Sequence, residues 1–151
     1  LDDWLERFDS IIDECTSPVL DLGCGGGNDT FYLLKKGKQV ISCDFSEESI
    51  RRIRVNFPEV LTALCFDMLE GMPFGNHSFE VIIADLCLHY FRKKDTIRLI
   101  EELKRILKPG GHLILRVNSI NDTNHGAGEG VEVEPHLFMT RDGYTKRFCL
   151  S

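Results

Sequence analysis

Residues 19–27 read Val-Leu-Asp-Leu-Gly-Cys-Gly-Gly-Gly. A short apolar run that breaks into four glycines within five positions is a buried strand ending in a turn that side chains leave almost bare. A second apolar run, Val40-Ile41-Ser42-Cys43, ends in Asp44, twenty-one positions after Gly23. Glycines let a ligand approach the backbone, and an acid at the tip of the next strand can accept from both hydroxyls of a ribose. Together they restrict the chain to folds that set two successive strand ends side by side, and they point to a nucleotide.

The rest of the chain repeats the alternation. Trp4, Leu5, Phe8, Ile11 and Ile12 recur at helical spacing, and Pro18 ends that region. Strand one is expected at 19–22, a helix at 28–36 stopped by Gly37, and strand two at 39–43. Ser46 caps a helix carrying Ile50, Ile53 and Phe57, stopped by Pro58. Strand three is expected at 60–66, strand four at 79–84, and a helix at 94–107 with Ile97, Ile100, Leu103 and Leu107 on one face. Pro109-Gly110-Gly111 turns into strand five, 112–117. Five such alternations predict an α/β chain: a doubly wound, Rossmann-like, mostly parallel sheet joined by right-handed crossovers. Asp21, Asp44, Asp67 and Asp85 all fall at strand ends, on the carboxyl edge where open sheets of this kind bind ligands.

Composition narrows the partners. The formal net charge is −6, whereas phosphate backbones are held by basic faces, so nucleic acid is not expected. Lys35, Lys36 and Lys38, like Arg92, Lys93 and Lys94, read as solvated helix ends. The six cysteines (15, 24, 43, 65, 87 and 149) form no C-x-x-C pair and no zinc-like spacing. They read as reduced thiols of a cytoplasmic protein, with Cys43, Cys65 and Cys87 buried at the ends of apolar runs. No metal site is expected, and no apolar run is long enough to span a bilayer.

The dinucleotide fingerprint is G-x-G-x-x-G or A. Here Asn28 holds the sixth position, where a residue larger than Gly or Ala hinders tight packing of helix on strand. Asp21, Gly23, Gly25 and Gly27 instead form Asp-x-Gly-x-Gly-x-Gly, with an acid that suits a cationic ligand head and would repel a diphosphate.

At residues 1–118 the chain resembles class I S-adenosylmethionine-dependent methyltransferases. The resemblance rests on the glycine turn, on Ile-Ser-Cys-Asp-Phe-Ser, Cys-Phe-Asp-Met and Ala-Asp-Leu-Cys-Leu-His-Tyr-Phe, and on Leu-Lys-Pro-Gly-Gly-His-Leu, in that order. The wider likeness is to small-molecule enzymes of the tellurite-resistance and ubiquinone-biosynthesis type. It implies strand order 3-2-1-4-5 and methyl transfer by in-line displacement to a small-molecule nucleophile. Gly23 and Gly25 would lie on the cofactor's methionine and ribose, and Asp21, Cys24 and Gly27 of the same turn would also bind it; Cys24 either touches the ligand or only fills the turn. Asp44 would accept from the ribose, Phe45 would lie against adenine, and Asp67 and Met68 would bind the adenine edge. Asp85 would face the methionine end, unless it is a turn cap. His89, Tyr90 and His125 are the candidates to orient the acceptor or take its proton. Arg116 either pairs an anionic substrate or satisfies a strand-end acid.

After strand five, residues 119–130 form a polar, glycine-rich loop, either a lid or a plain loop. The tail, 131–151, would hold a hairpin around Arg141-Asp142-Gly143. The family sheet normally continues further, so its last strands are expected to be reduced or missing, within one domain spanning 1–151. A bare edge on strand five would then be covered by the tail or by a second chain. A non-catalytic S-adenosylmethionine-binding module, and less so a nicotinamide-dependent oxidoreductase, are the alternatives.

Overall fold

The computed structural model describes residues 3–149; Leu1, Asp2, Leu150 and Ser151, at the ends of the expected domain, lie outside the described residues. A 3-10 turn, Trp4–Phe8, leads into α1 (Asp9–Glu14), β1 (Val19–Leu22), α2 (Asn28–Lys35), β2 (Val40–Asp44), α3 (Glu47–Asn56) and β3 (Thr62–Cys65). β4 (Phe79–Asp85), α4 (Lys93–Ile106) and β5 (Leu107–Arg116) follow, then β6 (Val131–Glu134), β7 (Leu137–Met139) and β8 (Thr145–Arg147). Further 3-10 turns lie at Met68–Glu70, Leu88–Tyr90 and Thr123–His125.

The first five strands make one sheet in the order β3-β2-β1-β4-β5, with every pairing parallel. Successive strand residues point to opposite faces, and both faces are covered. Leu20, Leu22, Ile82 and Ala84 pack on one side with Leu99, Leu103 and Ile106 of α4. Val19, Val40, Val81, Ile83 and Ile114 pack on the other with Leu5, Ile12 and Leu33. The strand order is the one the family resemblance implies.

Several details differ from the sequence expectation. The buried seam of α4 is Leu99, Leu103 and Ile106, while Ile97 and Ile100 are exposed; both rows have helical spacing, and the sheet selects one. Pro109-Gly110-Gly111 lies inside β5 as a bulge, because Phe79 pairs with Leu107 and Val81 with His112. A Cβ on Gly111 would sit 2.9 Å from the Glu80 carbonyl oxygen, so the bulge needs glycine there. Lys36 and Lys38 are not merely solvated: Lys36 pairs with Asp9 and Asp13 at 3.0 and 2.9 Å, and Lys38 Nζ donates to the Asp13 and Cys15 carbonyls. They clamp α1 against the end of α2. Cys65 is exposed rather than buried.

The tail is a three-stranded antiparallel sheet, β6-β7-β8, rather than a two-stranded hairpin. It does not cover the outer edge of β5, which has no strand partner among the described residues. It joins the main chain beyond that strand, where Cys149 N–H donates to Asn118 O (2.7 Å) and Ile120 N–H to Cys149 O (3.0 Å). The tail therefore sits at the carboxyl end of the parallel sheet.

Gly27 N-caps α2 with φ +88°, and a Cβ there would lie 2.5 Å from Phe57 Cε2 and 2.8 Å from Ile53 Cδ1. Gly26 has no neighbour within 4 Å of such an atom. Gly27→Ala is expected to cost about 2–3 kcal/mol, from overpacking plus backbone strain, and to lower Tm by about 5–10 °C. Gly26→Ala should change stability by no more than about 0.5 kcal/mol. Thermal unfolding followed by circular dichroism measures both, and equal losses would contradict this packing.

Candidate functional site

The chain leaves β1 and turns at once over the end of β2: Gly23 N–H and Cys24 N–H both donate to Cys43 O, at 2.8 and 2.9 Å. The glycines of this turn do different jobs. At Gly23 a Cβ would meet Cys87 Cβ at 2.5 Å, so the turn packs against the connector after β4. Gly27 packs against α3. Gly25 meets only the Gly23 carbonyl at 4.0 Å, and Gly26 meets nothing within that distance. The open backbone is therefore at Gly25 and Gly26, whereas Gly23, expected at the ligand, has its side-chain space filled. Cys24 is buried, and burial pushes its thiol pKa far up.

Asp21 lies beneath the turn. It is 1% exposed and accepts from the Thr30 hydroxyl, which also bonds Ser42 Oγ at 2.8 Å. Its carboxyl is thus directed into the core and not to an open face. Burial raises its pKa to about 7, against the lowering effect of the Thr30 bond.

Asp44, the last residue of β2, is buried and holds two turns. Oδ2 accepts from Gly25 N–H and Oδ1 from Ser46 N–H, both at 2.9 Å. Ser46 in turn caps α3 by accepting from Ser49 N–H. Next to Asp44, Phe45 is 73% exposed, and Cys65 Sγ donates to its carbonyl at 3.3 Å. Asp67 is exposed and accepts from Leu69 N–H at 2.8 Å, capping the 3-10 turn; Met68 is buried.

At the end of β4, Asp85 makes a two-pronged ion pair with its cross-strand partner Arg116, at 2.7 and 2.8 Å. Arg116 thus satisfies a strand-end acid, the second of the two roles open to it. Its guanidinium also lies over the Trp4 ring, 4.9 Å from the centroid, and Trp4 Nε1 donates to Asp29 at 2.9 Å. Leu86, which follows Asp85, has φ +49°. Such strain in a non-glycine residue is held by its surroundings and concentrates at functional sites.

The three acceptor-side candidates divide. His89 is 2% exposed, with Nε2 at 3.3 Å from Asn118 Nδ2 and Nδ1 buried without a partner among the described residues. Burial, and secondarily Lys146, lowers its pKa to about 4, so the ring is neutral at pH 7. Its centroid is 4.2 Å from that of Tyr90. Tyr90 and His125 line one cavity of about 490 Å³ with Glu129, Arg141, Tyr144 and Lys146. His125 Nδ1 lies 2.7 Å from Asp122 Oδ1. Nothing in the sequence marks Asn118, Arg141 or Lys146 as site residues, Arg141 reading only as part of a turn; the tail sheet brings the last two here from 50 residues or more beyond Tyr90.

A parallel sheet in this order, with a glycine turn after the first strand and an acid at the tip of the second, defines the S-adenosylmethionine-dependent methyltransferase fold. The chain belongs to the methyltransferase-domain family, whose profile matches residues 20–115. A methyltransferase of Synechocystis is 34% identical over 93 residues, covering 62% of this chain and 43% of that protein. This chain therefore spans less than half the length of that relative. A solved S-adenosylmethionine-dependent methyltransferase from Methanosarcina mazei matches 99% of this chain and 80% of its own, with TM-score 0.81 at 22% identity. Burkholderia thailandensis 1,6-didemethyltoxoflavin N1-methyltransferase, solved with that substrate and S-adenosylhomocysteine bound, matches 89% of this chain and 55% of its own, with TM-score 0.69 at 21% identity. No helix among the described residues is long and apolar enough to cross a membrane.

The buried Asp21 has a pH signature. Its folded pKa of about 7 lies above the ordinary value of 3.8, so the folded state binds a proton that the unfolded state releases. Its contribution is fully present below about pH 4 and is lost as pH rises towards 7. Asp21→Asn, which cannot ionise, should gain in Tm relative to the parent protein between pH 4.5 and pH 8. A Tm difference constant across that range would contradict a buried, proton-binding carboxyl.

Proposed function

We propose that the chain binds S-adenosylmethionine across Gly25 and Gly26 and transfers its methyl group to a small-molecule nucleophile. The observation that carries this is the open glycine backbone beside a strand-tip carboxylate, with an exposed aromatic ring next to it. When bound, S-adenosylmethionine supplies a methyl group on a cationic sulfur, activated for in-line displacement.

The residues fit that ligand. Each oxygen of Asp44 accepts one backbone N–H, which leaves each a lone pair for a ribose hydroxyl. Phe45 offers its ring to adenine, and the free oxygen of Asp67 can accept from the adenine amino group beside the Met68 N–H. Asp85, oriented by its two-pronged pairing with Arg116, faces the ammonium of the methionine end. Asp21 acts from below, bracing the turn through Thr30 rather than touching the ligand, and Cys24 fills the turn.

On the acceptor side the chain's work is to position a nucleophile and keep water out. His89 is neutral and supplies a hydrogen bond rather than a charge. With the Asn118 amide donating to Nε2, the ring proton sits on Nδ1, the buried atom without a partner among the described residues. Tyr90 and His125 form the wall towards solvent. Six free thiols suit a reducing compartment, and we assign the chain to the cytoplasm. The edge of β5, without a strand partner among the described residues, is where a second copy would continue the sheet, and the acidic net charge argues against a nucleic-acid acceptor.

Thermal unfolding with S-adenosylmethionine, S-adenosylhomocysteine or NADH tests the ligand. At about 100 times Kd a ligand stabilises by about 2.7 kcal/mol, a shift of about 5–10 °C at this size. The two sulfur ligands should give it and NADH should not. Phe45→Ala should leave the ligand-free Tm unchanged and weaken S-adenosylmethionine binding about tenfold. Labelled methyl transfer to a cell-extract pool separates an enzyme from a binding module, and a shift with NADH alone would overturn the proposal.

A further inference from the structure

The cavity beside Tyr90 is walled by three segments that are distant in sequence and tied to one another. Thr145 Oγ1 donates to Tyr90 O at 2.5 Å, joining β8 to the connector after β4. Lys146 Nζ donates to His125 O at 3.0 Å, joining β8 to the loop after β5. Glu134 of β6 accepts from Lys93 N–H at 2.9 Å and lies 3.6 Å from Arg92. At about 490 Å³ the space suits a small metabolite.

Its charges set it apart from the rest of the tail sheet. Away from the cavity those charges are used in the fold: Glu134 also pairs with Arg147 at 2.8 Å, and Glu132 accepts from His136 N–H at 2.8 Å. Glu129, Arg141 and Asp142 line the cavity and make no side-chain hydrogen bond or ion pair with described residues. Both signs are present, with Arg141 and Lys146 against Glu129 and Asp142. A purely anionic ligand would meet two carboxylates, a purely cationic one would meet two cations, and an apolar one would strip water from all four without return.

We propose that the methyl acceptor is a small zwitterion, an amine that also carries a carboxylate or phosphate, with Arg141 taking the anionic group and Glu129 the ammonium. This rests on the methyltransferase reading above and assigns its substrate class. The ammonium must lose a proton before its nitrogen has a lone pair. Glu129 accepts that proton and passes it to water at the open mouth. The nitrogen lone pair then forms the bond to the methyl carbon as the carbon–sulfur bond breaks, its electron pair remaining on sulfur.

The test is labelled methyl transfer from S-adenosylmethionine to glycine, β-alanine and O-phosphoethanolamine, beside ethylamine and propionate as one-charge analogues, with S-adenosylmethionine affinity measured by calorimetry. At least one zwitterion should be methylated and neither analogue. Arg141→Gln should raise KM for that acceptor about tenfold with kcat and S-adenosylmethionine affinity little changed, and Glu129→Gln should lower kcat with S-adenosylmethionine affinity little changed. Both residues are exposed, so these variants should fold. Equal turnover of ethylamine, an unchanged KM in Arg141→Gln, or methylation of an extract pool but of none of the zwitterions would overturn the acceptor class and leave the methyltransferase reading standing. Failure to bind S-adenosylmethionine at all would overturn both.

Discussion

One carboxylate, that of Asp44, joins the glycine turn to the turn after β2. It takes Gly25 N–H on one oxygen and Ser46 N–H on the other. The neighbouring carbonyl of Cys43 takes two more N–H groups from Gly23 and Cys24. Four backbone donors at the start of two helical crossovers are thus fixed to the tip of one strand. The bonds to a buried carboxylate are charge-assisted and worth more than ordinary ones. They hold the glycine turn open before any ligand arrives, so that binding need not order it.

Packing decides which glycines remain available to a ligand. Cys87 fills the space at Gly23, and Phe57 with Ile53 fill it at Gly27, leaving Gly25 and Gly26 bare. The acids divide in the same way. Asp21 is committed to Thr30 and the core, Asp85 to Arg116, and Asp44 alone among the strand-tip acids is both buried and next to open backbone. A motif of evenly spaced residue types thus separates into those that build the turn and those that face outward.

The fold was legible because each parallel strand is buried on both faces and so reads as an apolar run, as Val19–Leu22 and Phe79–Asp85 do. Helix faces were less so: of the row expected inside α4, Leu103 is buried, but only contact with the sheet shows that Leu99 and Ile106, not Ile97 and Ile100, join it. β6 escaped because its Val-Glu-Val-Glu pattern is short and half charged. The glycine turn, Asp44 and the Asp85 position were visible through local spacing. Asn118 beside His89, and Arg141 and Lys146 beside Tyr90, were not, because tertiary folding alone brings them together. His89 was visible as a residue but not in its state, since the neutral ring follows from burial.

The central claim is that the open backbone of Gly25 and Gly26, flanked by Asp44 and Phe45, is the nucleoside site. A crystal structure of the chain with S-adenosylhomocysteine tests it most directly. The account requires the ribose hydroxyls within hydrogen-bond distance of Asp44, the adenine against Phe45, and the chain of the ligand crossing Gly25 and Gly26. Density for the ligand in the cavity beside Tyr90 instead, or an adenine remote from Phe45 with Asp44 still bonded only to Gly25 and Ser46, would contradict it.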